Sequence, residues 1–108
     1  MGSISRLRTA ADFNRVAGSG RRTRRNGLVV FAAPAPTARV GFAIPRSAGS
    51  AVERNRARRR LRAIAAQHLG AGYEVAVRAE PSALSASYQE LEVSLTSALR
   101  ELEAGASS

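Results

Sequence analysis

The run "GSAVERNRARRRLRAIAAQHLG", residues 49–70, decides how this chain folds and what it meets. Ser50 followed by Glu53 has the form of a capping box, in which each side chain satisfies the other residue's free backbone N–H, and Gly70 supplies a stop. The pattern predicts a helix from about Ala51 to Leu69. Ala57, Leu61, Ile64 and His68 recur at helical intervals and form a single apolar stripe. Six arginines crowd the nine positions from Arg54 to Arg62. Arg56, Arg58, Arg59, Arg60 and Arg62 fan around the rest of the circumference, and Arg54 projects from the first turn. Ordinary charged helices offset like charges with opposite ones four residues away, but Glu53 is the only acid between residues 50 and 70. A surface that repels itself this strongly is expected to be answered from outside, by a polyanion.

The whole chain leans the same way. It has 108 residues and a formal net charge of +9, and all 17 basic residues are arginine. A guanidinium grips phosphate with two parallel N–H donors and stacks on bases, so this choice favours a nucleic-acid partner. The charge is uneven: residues 1–78 hold 16 arginines against Asp12, Glu53 and Glu74, whereas residues 79–108 hold Arg100 against five glutamates. The first part meets the polyanion and the tail does not. The length fits one domain, 1–108, with flexible ends expected at about 1–5 and 104–108. Cysteine is absent, which removes disulfides and thiolate chemistry and suits a reducing cytoplasm. No apolar run approaches a membrane span, and no membrane partner is expected.

Flanking segments supply the remaining elements. "RTAADFNRVAGSG" opens with Thr9 and Asp12 at capping spacing, sets Phe13 and Val16 on one helical face, and ends at Gly18 and Gly20. "RRTRRN" reads as a bridge into the strand "GLVVFAAPAPTA", which Pro34 and Pro36 close. "RVGFAIP" alternates cleanly, with Val40, Phe42 and Ile44 on one face and Gly41 and Ala43 on the other. That second face is nearly bare and leaves room for a ligand against the sheet. "YEVAVRA" sets Tyr73, Val75 and Val77 opposite Arg78. A last helix carries Leu84, Tyr88, Leu91, Leu95, Leu99 and Leu102, with Ser87 and Glu90 at its start. The predicted order is α-β-β-α-β-α, an α+β sandwich with a small central sheet packed by helices.

Catalysis by the protein itself is not indicated. His68 is the sole histidine and falls on an apolar stripe. Asp12 and Glu53 serve helix starts, and most other carboxylates decorate the last helix. No metal-ligand cluster, glycine-rich phosphate loop or nucleophile elbow is present.

The run from Arg39 to Arg62, "RVGFAIPRSAGSAVERNRARRRLR", closely resembles the signature of the bacterial ribonuclease P protein subunit. The shared features are Arg39-Val40-Gly41, then Gly49-Ser50-Ala51-Val52, then Arg54-Asn55-Arg56 and the arginines through Arg62. The start, with Arg6-Leu7-Arg8 and the Asp12-Phe13, Val16, Gly20 spacing, is similar to the family's as well. The resemblance implies a protein that binds a large catalytic RNA and the 5′ leader of precursor tRNA, in a holoenzyme that removes that leader. It implies an endoribonuclease whose chemistry belongs to the RNA, with Mg²⁺ bound mainly by the RNA, no protein metal site and no obligate protein partner. By the same resemblance, Arg54, Asn55, Arg56, Arg58, Arg59 and Arg62 face the catalytic RNA. Phe13, Val16, Phe31, Arg46 and Arg78 face the leader, and the strand-helix-strand crossover is left-handed. Three features depart from the family pattern: Ala17 where a second aromatic is common, one cation in Pro45-Arg46-Ser47, and Arg60 at a frequently apolar position. A bare arginine helix alone also fits a non-enzymatic nucleic-acid binder; the order of strand, turn and R-N-R helix separates the two.

Overall fold

Ser50 and Glu53 cap their helix as the sequence predicts. The Glu53 N–H donates to Ser50 Oγ at 3.1 Å, and the Ser50 N–H donates to Glu53 Oε1 at 2.8 Å. The computed structural model describes residues 5–19, 21–69 and 72–107, so the expected stops at Gly20 and Gly70 and the outermost ends lie outside the described residues. Its helices are α1 (Ala10–Ser19), α2 (Ala51–His68), the short α3 (Pro81–Leu84) and α4 (Tyr88–Ser107). Its strands are β1 (Ser5–Arg6), β2 (Arg21–Arg25), β3 (Leu28–Pro34), β4 (Arg39–Ala43) and β5 (Tyr73–Ala79). They form one mixed sheet in the order β1-β4-β5-β3-β2. The architecture is the expected α+β sandwich, and α2 connects the parallel neighbours β4 and β5.

Two strands exceed the predicted set. "RRTRR" is not a bridge but the edge strand β2, paired antiparallel with β3. The turn explains it: Asn26 and Gly27 both take positive φ, 47° and 84°, the geometry of a two-residue hairpin loop that Asn-Gly favours. A Cβ on Gly27 would also come within 2.3 Å of Ser82 Oγ, so only glycine fits beneath α3. β1 adds two residues parallel to β4 at the opposite edge.

The sheet carries an apolar cluster on each face. One face sets Val30, Val40, Val75 and Val77 against Leu61 and Ile64 of α2 and the leucines of α4. On α2 the buried positions are Ala57, Leu61, Ile64 and Ala65. Ala65 therefore replaces His68 in the predicted stripe; His68 lies at the helix end with Nε2 3.5 Å from Glu92. The other face carries a smaller cluster of Val16, Val29, Phe31, Ala33 and Ala76 beneath α1. Helix α4 begins with its own Ser87–Glu90 capping box, while Leu84 falls on the separate α3. Glu101 of α4 accepts from Thr23 and pairs with Arg25, so the acidic last helix neutralises one side of β2. Among the described residues no helix is long and apolar enough to cross a membrane.

Glu74 is a buried carboxylate, 3% exposed, and it ties α1 to the sheet. It accepts from Arg15 Nη1 at 2.8 Å and from Arg39 Nε at 2.7 Å. Its carboxyl is held below the usual glutamate range, chiefly by the Arg15 hydrogen bond; burial opposes this, and Arg39 reinforces it. A carboxyl with a depressed folded pKa stabilises the fold above its unfolded value, and that contribution is lost as pH falls through the folded value. The Glu74 contribution is therefore present at neutral pH and is lost progressively below about pH 4.5. Urea midpoints followed from pH 7 to pH 3 fall less steeply for Glu74→Gln than for wild type. Parallel profiles would show that Glu74 is not an acid-labile clamp.

Candidate nucleic-acid interface

Burial of Ala57, Leu61, Ile64 and Ala65 fixes the rotation of α2 and so decides which arginines face outward. Asn55, Arg56 and Arg59 are exposed, and Arg54 and Arg60 are half-buried. The single acid of the helix is committed to its own N-terminus. The Glu53 carboxyl is held below its ordinary range, first by the Ser50 backbone N–H and then by the Ser50 hydroxyl, with Arg56 adding to this. It stays ionised but caps the helix rather than neutralising the arginine face. Arg58 and Arg62 turn toward the β1–β4 edge. Arg58 Nη1 donates to Asn55 Oδ1 at 3.3 Å, and the Arg62 guanidinium lies 5.5 Å from the centroid of the Phe42 ring. The six residues assigned to RNA thus share one helix but divide between an outer face and an inner flank.

The α1 side of the sheet differs from the bare surface expected. Gly41 lacks a side chain because the chain fills that space: a Cβ there would lie 3.0 Å from Leu7 and 3.3 Å from the Phe13 ring. Strand register sorts this face into rows. Gly41, Ala76, Phe31 and Arg22 form one row, and Ala43, Arg78, Val29 and Arg24 form the next. The first row is covered by α1 up to Arg22. Val16 is fully buried and Phe31 is 9% exposed, so neither presents a surface to a ligand in this arrangement. Packing against Ala76 and the sheet outweighs exposure for both, and they support α1 from below. Phe13 is only half-buried.

Arginines border this covered patch. Arg22, Arg24 and Arg78 are exposed on the sheet, and Arg46 is exposed in the 3-10 turn Arg46–Ala48 that precedes α2. Arg24 has an exposed ion pair with Glu80 at 3.0 Å, a contact of small stabilising value. In the sequence Arg22 and Arg24 stand out only as part of the basic run "RRTRR"; it is the unpredicted strand β2 that separates them from Arg21 and Arg25. The Asn26-Gly27 turn was the available signal: it sets the register that places both residues on the Phe31–Val29 side.

Three of the acids are already committed to partners of the chain's own. Glu74 is clamped between two arginines, Glu101 is taken by Thr23 and Arg25, and Glu53 caps α2. Among the described residues no three histidine or carboxylate side chains come together as a ready-made metal cage.

Comparisons agree with this geometry. The model of the family described as Ribonuclease P matches residues 1–103. The chain is similar to the ribonuclease P protein component of Arthrobacter sp. (strain FB24), 40% identical over 102 residues, covering 88% of this chain and 74% of that protein. It is likewise similar to that of Thermobifida fusca, 39% identical over 109 residues, with 89% and 74% covered. In fold it is similar to the RNase P protein of Staphylococcus aureus, with a TM-score of 0.81 at 23% identity, covering 92% of this chain and 95% of that one. The RNase P protein of Thermotoga maritima gives a TM-score of 0.78 at 21% identity, with 90% and 96% covered. With the R-N-R helix, the arginine-bordered sheet and these likenesses together, the chain belongs to the ribonuclease P protein family, whose members act with a catalytic RNA to remove the 5′ leader of precursor tRNA.

Proposed function

We propose that the outer face of α2, with Arg54, Asn55, Arg56 and Arg59, is the principal contact with the catalytic RNA. In the same reading, Arg46, Arg78 and the newly placed Arg22 and Arg24 hold the phosphates of the precursor leader beside Phe13. The observation that carries the first assignment is an exposed arginine face whose only acid is consumed in a helix cap. Phosphate contacts position two polyanions without reading sequence, which suits a leader of variable composition. Phe13 is the one aromatic of the α1 patch that is only half-buried, which suits stacking, and Val16 and Phe31 hold the platform under it. The protein's part is positioning and charge neutralisation, which lets the two RNAs approach with less free cation. Mg²⁺ belongs to the RNA in this reading, and the complex works in the cytoplasm.

Adding the protein to a cognate catalytic RNA is expected to lower the Mg²⁺ needed for cleavage and to favour precursor over mature tRNA. In the double variant Arg24→Ala, Arg78→Ala, that preference shrinks by more than about tenfold at 0.15 M salt, as expected for two lost phosphate contacts. Equal binding of the two tRNAs with wild-type protein present would sink the leader assignment.

A further inference from the structure

The inner flank of α2 belongs to a second cationic feature. β1 pairs Arg6 with Val40, and paired residues share a face, so Arg6 lies on the α2 side of the sheet. At the β1 edge Arg6 and Arg8 meet Arg58 and Arg62 around an open concavity of about 800 Å³, lined by Val40 and Phe42 on the α2 side and reaching round the edge to Leu7, Arg39 and Gly41. No carboxylate lines it. Among the described residues only Arg39 of the five arginines has an ion pair, with Glu74. Burial lowers the Arg62 pKa, and the facing charges of Arg6 and Arg58 lower it further; the guanidinium stays protonated but is electrostatically strained.

A convex arginine helix touches the side of a duplex. A hollow with guanidiniums on facing walls instead encloses what enters it, and the occupant must bring several phosphates within a short span. RNA offers this where its backbone turns sharply or bulges. The leader is assigned instead to the far rows of the opposite face, where Ala43 and Arg78 point, whereas the guanidiniums of Arg6, Arg8, Arg58 and Arg62 gather at the β1 edge beside Val40 and Phe42.

Resting on the assignment of α2 to the catalytic RNA, we infer that this concavity is a second and separate contact for that RNA, seating a protruding, phosphate-dense turn of its backbone. Arg6 and Arg8 thereby join the RNA-binding set, and Arg58 and Arg62 act with them rather than with Arg54 and Arg56, while Arg39 stays committed to Glu74. β1 has a purpose in this arrangement: two residues of pairing hold the N-terminal arginines opposite α2.

The test uses the full chain with Arg6→Ala and Arg8→Ala, alongside Arg54→Ala and Arg56→Ala, binding the catalytic RNA over a salt series. Both side chains of the first pair are exposed, so that variant melts no lower than wild type. Its RNA affinity falls about thirtyfold at 0.15 M salt, and its salt slope flattens by about two. Backbone footprints lose protection at different nucleotides in the two variants. Loss at the same nucleotides would merge the two surfaces and overturn the inference. Undiminished RNA binding by the Arg6/Arg8 variant, with weakened binding by the other, would overturn it and leave the α2 assignment standing. Undiminished binding by both would remove the α2 assignment itself. Loss of precursor preference with RNA affinity intact would give the concavity to the leader and overturn the inference as well.

Discussion

Replacing Arg54 and Arg56 together by alanine is expected to weaken binding to the catalytic RNA about thirtyfold at 0.15 M salt, from two lost phosphate contacts at a salt slope of ~0.9 each. The plot of log affinity against log salt flattens by about 1.8 for the same reason. Neither residue is in the core, and neither appears in an ion pair among the described residues. Arg56 adds only a minor, solvent-screened attraction to the capping Glu53, so the fold has little stake in their charge. Arg54 does bond the Ser50 carbonyl weakly through Nε at 3.4 Å, a local helix contact. Thermal melting of the variant therefore stays near wild type while RNA affinity collapses. An unchanged salt slope would move the RNA contact off the outer face of α2.

Leu61→Ala attacks the same interface from the opposite side of the helix. Leu61 is fully buried between α2, the sheet and α4. Truncating a leucine in such a site costs about 2–5 kcal/mol, the lost transfer energy plus the cavity left behind. For a domain of this size the melting temperature drops by roughly 10–30 °C. RNA binding at 25 °C weakens with it, because the arginine array is held in place only by this stripe. Arg59→Ala on the exposed side is the control and leaves the melting temperature level or slightly raised, since it removes like-charge repulsion. A Leu61→Ala protein melting within a few degrees of wild type would mean that α2 is not docked through this residue.

How much of this was legible in the sequence differs by element, and the reason is physical each time. α2 was readable to within a residue because its cap, its apolar stripe and its acid-poor outer face are all local in sequence. β4 and β5 were readable because side-chain alternation is local too. β2 was not: five residues with four arginines carry no apolar alternation, and the strand exists through pairing with β3. Only the Asn26-Gly27 turn announced it. Gly41 misled for a related reason. A missing side chain shows that something comes close, but the sequence does not say whether that is a ligand or Leu7 and Phe13 of the same chain. The same blindness applied to Val16 and Phe31, whose burial depends on how α1 crosses the sheet. His68 was misplaced because the helix ends there, where its ring reaches Glu92 of α4, while the burial stops at Ala65.

The hairpin at Asn26-Gly27 also governs an allocation. Because neighbouring β2 residues point to opposite sides, Arg25 and Thr23 go to the glutamate of α4, and Arg22 and Arg24 go outward. Lengthening or shortening that loop by a single residue would exchange the two groups. The glutamate of α4 would then absorb the guanidiniums that the proposed function gives to the leader, with composition and net charge almost untouched. Two small residues at a bend thus determine which cations this protein keeps for itself and which it offers to others.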